Sequence, residues 1–370
     1  MAGLQIAEGV ATAADTENSE GMTPAVADTE NTGSADGDAR RARVDVHHHY
    51  TAPEWIDWAE DKDIANRRAL PPWTRWDVDT ALAVMDQAGI RTSVLTVAML
   101  GRLQDPKLRK ESARVALSAA ADLVKSHPDR FAFYVPVFLD DPGLASWSLT
   151  YGMDELGAIG ASVRTSVNGT YLGDPSQDRV LAELNARSAV VSTHPMEVPQ
   201  KGPGLEGVPP FLCDFLMDTT CAAINLILNG TLDRYPDLSF ILPHGGGFLP
   251  YIASRVELFG GHLTPKVDPA RVRDYLHRFY YDTAGPMSSA ATPTLLSVVD
   301  SSRILYGSDW PPTPSHLVTG VTAPALDNDP ALDEEQRRRI NCDNAHRLLP
   351  ALTAAAPGGR NRAGAHSAAG

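Results

Sequence analysis

Eight short apolar runs alternate with helical stretches between residues 44 and 310, and this alternation restricts the fold more than any other feature. The runs are Val44–Tyr50, Thr92–Leu100, Phe131–Leu139, Ala161–Val167, Ala189–Pro195, Ser239–Gly245, Phe279–Ala284 and Arg303–Trp310. Between them, Val78–Ala88, Leu108–Lys125, Gln177–Ala186 and Thr294–Val299 have amphipathic helical character, as does the longer Phe211–Asp233. Near-continuous apolar strands, each followed by a helix, imply parallel strands buried on both faces. Eight such units imply an α/β fold of the (β/α)8 (TIM-barrel) type. A doubly wound open sheet is the alternative, but no GxGxxG follows the first run. The last helical stretch, Asp333–Leu349, is expected to pack outside the barrel.

The two ends read differently. Residues 1–43 hold eight acids and three arginines, no aromatic residue and no apolar periodicity. Such a segment cannot bury enough surface to offset its ordering entropy, and disorder is expected. Residues 351–370 are Ala/Gly-rich and are expected to be equally shapeless. A single catalytic barrel over 44–350 remains, within the size range of this fold. The net charge of −14 excludes the basic stripe of a nucleic-acid surface. No apolar stretch is long enough to span a bilayer. The start of the chain has no basic n-region or apolar h-region, and the three cysteines form no CxxC pair. Both observations favour a reducing, cytoplasmic setting.

The chemistry concentrates at the ends of the runs. The first reads Val44-Asp45-Val46-His47-His48-His49-Tyr50. Strand alternation puts His47 and His49 on one face and His48 on the other, and two imidazoles at that spacing can chelate one metal. The fifth run ends at His194, the sixth at His244 and the eighth at Asp309. In a barrel these strand ends converge on one mouth. Four histidines and an aspartate gathered there are hard to explain as packing, because buried imidazoles need partners. Three neutral imidazoles with a carboxylate and an open position suit Zn2+, with Mn2+ or another divalent transition metal as alternatives. The fourth run contains no lysine that could bridge a second ion, so one metal is expected. Arg164 at the tip of that run could clamp a carboxylate through its guanidinium fork. Trp310, next to Asp309, could stack on an aromatic ring. Trp73, Arg75 and Trp76 lie in a Pro-rich loop that could serve as a lid.

As a set, these phrases resemble the amidohydrolase superfamily, and within it the decarboxylase branch. The resemblance is carried by Asp45–Tyr50, Tyr171-Leu172-Gly173-Asp174-Pro175, His194-Pro195, His244-Gly245-Gly246, Tyr306–Pro311 and Asn344–Leu348. Through Asp218-Thr219-Thr220 and Leu228–Pro236 it is strongest to the 6-methylsalicylate decarboxylase type. The resemblance implies His47, His49, His194 and Asp309 as metal ligands, and His244 as a catalytic histidine that does not bind the metal. It also implies a homodimer. Arg164 and the strand-two tip Thr96–Gly101 depart from the usual pattern of the group, which leaves the substrate open.

Two chemistries fit such a set of residues. One is loss of CO2 from a small aromatic or unsaturated carboxylic acid, with Asp309 carrying the proton and His244 orienting or deprotonating a hydroxyl. The other is metal-assisted hydrolysis of an amide, lactone or imine, or a hydration. A barrel used only as a scaffold would have no physical reason to keep every ligand type. The resemblance favours decarboxylation.

Overall fold

A computed structural model describes residues 43–100, 103–196, 207–285 and 287–354. The expected tails fall almost wholly outside these residues, with two departures: the first strand already begins at Arg43, and Ala351–Ala354 form a short helix where a shapeless tail was expected.

Each of the eight runs contributes a strand to one parallel sheet, although the end of the fourth, Ser166–Val167, pairs antiparallel with Thr170–Tyr171 instead. Its strands are β1 (Arg43–Tyr50), β2 (Ile90–Val97), β3 (Phe131–Pro136), β4 (Gly160–Arg164), β5 (Val190–His194), β6 (Ser239–Leu242), β7 (Tyr280–Asp282) and β8 (Ile304–Leu305), in spatial order 1 to 8. Every residue of β1 and β3 is buried, as expected for strands covered on both faces. Helices Val78–Gln87, Pro106–Ser126, Pro142–Leu149, Asp178–Ala186, Asp214–Leu228, Leu249–Phe259 and Ala291–Leu296 follow the first seven strands. Several are capped by an aspartate whose carboxylate accepts an orphan amide: Asp77 from Thr80, Asp105 from Lys107 and Asp141 from Leu144. At Asp105 and Asp141 a proline opens the helix, where its missing N–H costs nothing.

The long stretch Phe211–Asp233 is not one helix. A 3-10 turn at Pro210–Leu212 leads into Asp214–Leu228, and Gly230, at φ 63°, turns the chain into Thr231–Arg234. The final stretch, Glu334 to Leu348, is likewise broken by a π turn at Arg339–Asp343. Among the described residues no helix is long and apolar enough to cross a membrane.

The last two strands are shorter than the sequence pattern implies, and the barrel closes by other means. β8 ends at Leu305, and irregular backbone follows. Closure runs through three parallel-type bonds: Val46 N–H to Tyr306 O (3.0 Å), Asp309 N–H to His47 O (2.9 Å) and His49 N–H to Trp310 O (2.7 Å). On its other side β1 carries a register shift against β2 between Asp45 and His48, the mark of a bulge. The Asp45 side chain holds this region together. Its carboxylate accepts the His47 amide (3.1 Å), the Ser308 amide (2.9 Å) and the Ser308 hydroxyl (2.6 Å), and it lies 3.3 Å from His48 Nδ1. Asp45 is fully buried.

Replacing Asp45 by Ala strands these donors in the core. The expected loss of stability is on the order of 3 kcal/mol, with a smaller loss for Asp45→Asn. Urea denaturation monitored by circular dichroism measures both, and a wild-type midpoint for Asp45→Ala would show that the seam does not depend on this carboxylate.

Candidate metal centre and active site

The seam delivers three side chains to one point. His47 and His49 leave β1 on the same face, with their Nε2 atoms 3.2 Å apart. Asp309 comes from the segment after β8, and its Oδ1 stands 3.3 Å from His47 Nε2 and 3.0 Å from His49 Nε2. His194, at the end of β5, completes the group, its ring 4.7 Å from that of His49 and perpendicular to it. One ligand atom from each of the four lies within 4.8 Å of all the others. Donors bound tetrahedrally at about 2.0–2.1 Å stand roughly 3.3 Å apart, so this spacing fits a single divalent ion.

The protonation states fit it too. Burial pulls His49 below the usual imidazole range despite the nearby Asp309. Burial, together with the neighbouring His49 and His47, pulls His194 well below that range. Both are therefore neutral and present lone pairs. Burial alone would lower His47, but Asp282 and Asp309 override it and hold the ring well above its ordinary value. Burial would raise Asp309, but His47, His244 and His49 together hold its carboxyl well below the usual range. Asp309 thus faces the ion position while Asp282 sits behind the His47 ring, an acidic setting that favours a cation at the His47 Nε2. These residues form a divalent-metal site.

His244 stands beside the ligands. It follows β6 in a short turn, with Nε2 3.6 Å from Asp309 Oδ2 and its ring centroid 5.4 Å from that of His47. Its Nδ1 is buried without a protein partner. His244 and Asp309 both have positive φ, 55° and 57°, a conformation that non-glycine residues rarely hold without support from their surroundings.

That support includes a residue that sequence reasoning missed. Asp282, at the end of β7, receives His47 Nδ1 on Oδ2 (2.8 Å) and the His244 amide on Oδ1 (2.8 Å). A carboxylate behind a ligating histidine fixes its tautomer and raises its basicity. Gly307 makes this approach possible, since a Cβ there would stand 2.9 Å from His47 Cβ and 3.2 Å from the Asp282 side chain. The available signal was a lone acid within the seventh run, in Tyr280-Tyr281-Asp282.

The substrate-contact candidates separate. Arg164 ends β4 as the register neighbour of His194, so strand geometry puts both on one face. Trp310 sits elsewhere than expected. The left-handed Asp309 redirects the chain, so Trp310 bridges to His48 and its ring packs 5.0 Å from that imidazole. Its indole nitrogen donates to Ser315, and the residue is buried. Two other aromatic rings reach the ligands: Trp73 at 6.4 Å from His49 and Phe215 at 6.3 Å from His194, both half-buried. Trp76, from the same loop as Trp73, is buried and donates to His48 Nε2 (3.4 Å), which anchors that loop to the seam.

A family model described as Amidohydrolase matches residues 44–351. The chain belongs to the amidohydrolase family. Its relatives place it among the family's decarboxylases. It is 29% identical over 326 residues to the decarboxylase yanB of Aspergillus niger, covering 83% of this chain and 87% of that one. It is 27% identical over 326 residues to the 6-methylsalicylic acid decarboxylase of Penicillium expansum, covering 84% and 97%. Among solved structures, an amidohydrolase II matches with TM-score 0.75 and 29% identity, covering 84% of this chain and all of that one. A dihydroxybenzoic acid decarboxylase from Polaromonas, solved with manganese and 2-nitroresorcinol, shares the fold at TM-score 0.67 and 23% identity, covering 84% and 97%.

Elemental analysis of the purified protein is expected to give about one divalent metal per chain. Asp282→Ala is expected to weaken metal binding by roughly 10- to 100-fold. Unchanged metal content in a His49→Ala/His194→Ala double variant would place the ion elsewhere.

Proposed function

We propose that this protein is a metal-dependent, non-oxidative decarboxylase of a small aromatic carboxylic acid with an adjacent hydroxyl, of the 6-methylsalicylate kind. The observation that carries this reading is the pairing of a three-histidine, one-aspartate site with a separate histidine in reach of that aspartate, in a chain whose full-length relatives are decarboxylases. Zn2+ and Mn2+ both suit the donor set. Zn2+ is favoured by the three imidazoles, and the manganese in the Polaromonas structure supports the alternative.

A bound divalent ion supplies Lewis-acid charge against the substrate carboxylate and its neighbouring oxygen. The remaining steps belong to side chains. Arg164, on the face of His194, pairs with the carboxylate as the substrate enters. The stacking role expected of Trp310 passes to Trp73, whose half-buried ring flanks His49. His244 holds the substrate hydroxyl and passes its proton to Asp309, 3.6 Å away. Asp309 then gives that proton to the ring carbon bearing the carboxylate, the carbon–carbon bond breaks, and CO2 leaves as the bond's electron pair returns to the ring. The depressed pKa of Asp309 suits the donating half of this role. The carboxylate is ionised at rest and is a strong acid once it has received the proton from His244.

The acidic exterior cannot attract an anionic substrate from a distance, so capture is local, at the ion and Arg164. We also propose a cytoplasmic homodimer. Three free cysteines suit a reducing compartment, and Phe211 and Leu212 in the Pro210–Leu212 turn and Tyr251, Leu258 and Phe259 in the Leu249–Phe259 helix expose apolar side chains. Light scattering at micromolar concentration tests the dimer, and a monomeric mass would refute it.

A panel of ortho-hydroxy aromatic acids, followed by CO2 release, tests the reaction. Turnover is expected on at least one member, with His244→Ala and Asp309→Asn each slowing it by more than about 100-fold, and with Arg164→Met raising KM more than it lowers kcat. Ring opening or amine release without CO2 would assign the site to hydrolysis instead.

A further inference from the structure

Asp218, Thr219 and Thr220 are buried in the Asp214–Leu228 helix, outside the ring of ligand side chains. Their bonds nevertheless lead straight to that ring. Asp218 Oδ2 accepts the Met196 amide at 2.8 Å, two residues past the ligand His194. The same oxygen accepts the hydroxyl of Thr165, the residue after Arg164. Thr165 in turn donates its amide to the His194 carbonyl at 3.0 Å. One carboxylate therefore closes a ring of bonds around the backbone of His194 and ties it to the strand tip that carries Arg164.

Thr220 serves the other histidine. Its hydroxyl donates to Leu216 O (2.7 Å) and accepts the Phe248 amide (2.8 Å), at the end of the glycine turn that begins with His244. That turn lies directly on the helix, because a Cβ on Gly247 would stand 2.2 Å from Leu216 O. Side chains two apart on a helix point to different sides, which is how Asp218 and Thr220 reach two different loops.

His194 is itself a ladder residue, paired with Arg164, but the segments that run on from both strands need such support. β5 ends at His194, and β6 ends at Leu242, before His244, so the sheet ladder does not hold the residues that follow either strand. We infer that the Asp214–Leu228 helix sets the spacing of His194 and His244, with Asp218 the positioning residue for the metal ligand and Thr220 the positioning residue for His244. This rests on the roles proposed above for those two histidines. Phe215, on the first turn of the same helix, packs edge-on against His194 at 6.3 Å and adds a direct contact from the helix to that ligand.

The test uses the full-length protein and titrates Mn2+ against a chromophoric chelator. Asp218→Ala is expected to weaken Mn2+ binding by about 10- to 100-fold. Asp218→Asn, which keeps an acceptor oxygen, is expected to restore most of the affinity. Thr165→Val, a milder change, is expected to shift it in the same direction as Asp218→Ala. Thr220→Val is expected to leave Mn2+ affinity within about twofold and lower kcat by about tenfold at unchanged KM, with Thr220→Ser restoring the rate. Folded Asp218→Ala and Thr165→Val proteins with wild-type Mn2+ affinity would overturn the role of Asp218. A lowered melting temperature with unchanged kcat in Thr220→Val would overturn that of Thr220. The Mn2+ titration needs no substrate, so it decides the Asp218 inference even if the wild-type protein releases no CO2.

Discussion

The buried carboxylate of Asp45 is the constraint on which the site depends. A barrel must join its last strand to its first, and here the last strand is two residues long. Three backbone bonds carry the seam on, but through irregular backbone beyond that strand. Asp45 compensates by accepting the Ser308 amide and hydroxyl from one side and the His47 amide from the other. The seam then sits where irregular backbone is useful. The β1 bulge and the left-handed Asp309 aim His47, His49 and Asp309 at one point. Closure of the fold and assembly of three metal ligands are thus one structural event.

A second carboxylate governs the electrostatics. Asp282 binds His47 with one oxygen and the amide of His244 with the other, so a ligand and the histidine proposed to handle the proton share one support. Its charge also helps keep His47 well above its ordinary pKa, while His49 and His194 stay neutral through burial. The site therefore combines lone pairs and negative charge around a cationic position. Such a site can draw electrons from a carboxylate and still keep Asp309 available to carry a proton.

Much of this was legible in the sequence, for physical reasons. Parallel strands buried on both faces must be apolar, so all eight appeared as runs, and their polar ends exposed His47, His49, His194, His244 and Asp309 as a group. The supporting residues were not legible. Asp45 and Asp282 are single acids at strand positions, and only the fold shows that amides from other segments converge on them. Trp310 was placed by simple succession to Asp309, but a left-handed residue breaks succession and turns the ring toward His48. Helix Pro142–Leu149 escaped notice because it is largely apolar and has no polar face to mark its period. Leu249–Phe259 escaped it because Tyr251, Leu258 and Phe259 put apolar residues on the outside.

The central claim is that CO2 release needs an ion held by these four side chains. Its most direct measurement strips the protein of metal, assays it on an ortho-hydroxy aromatic acid in D2O, and then restores Mn2+ or Zn2+. The expected result is no turnover without metal. On restoration CO2 should be released, with one deuterium on the ring carbon that lost it. Full activity in the metal-free protein would contradict the claim.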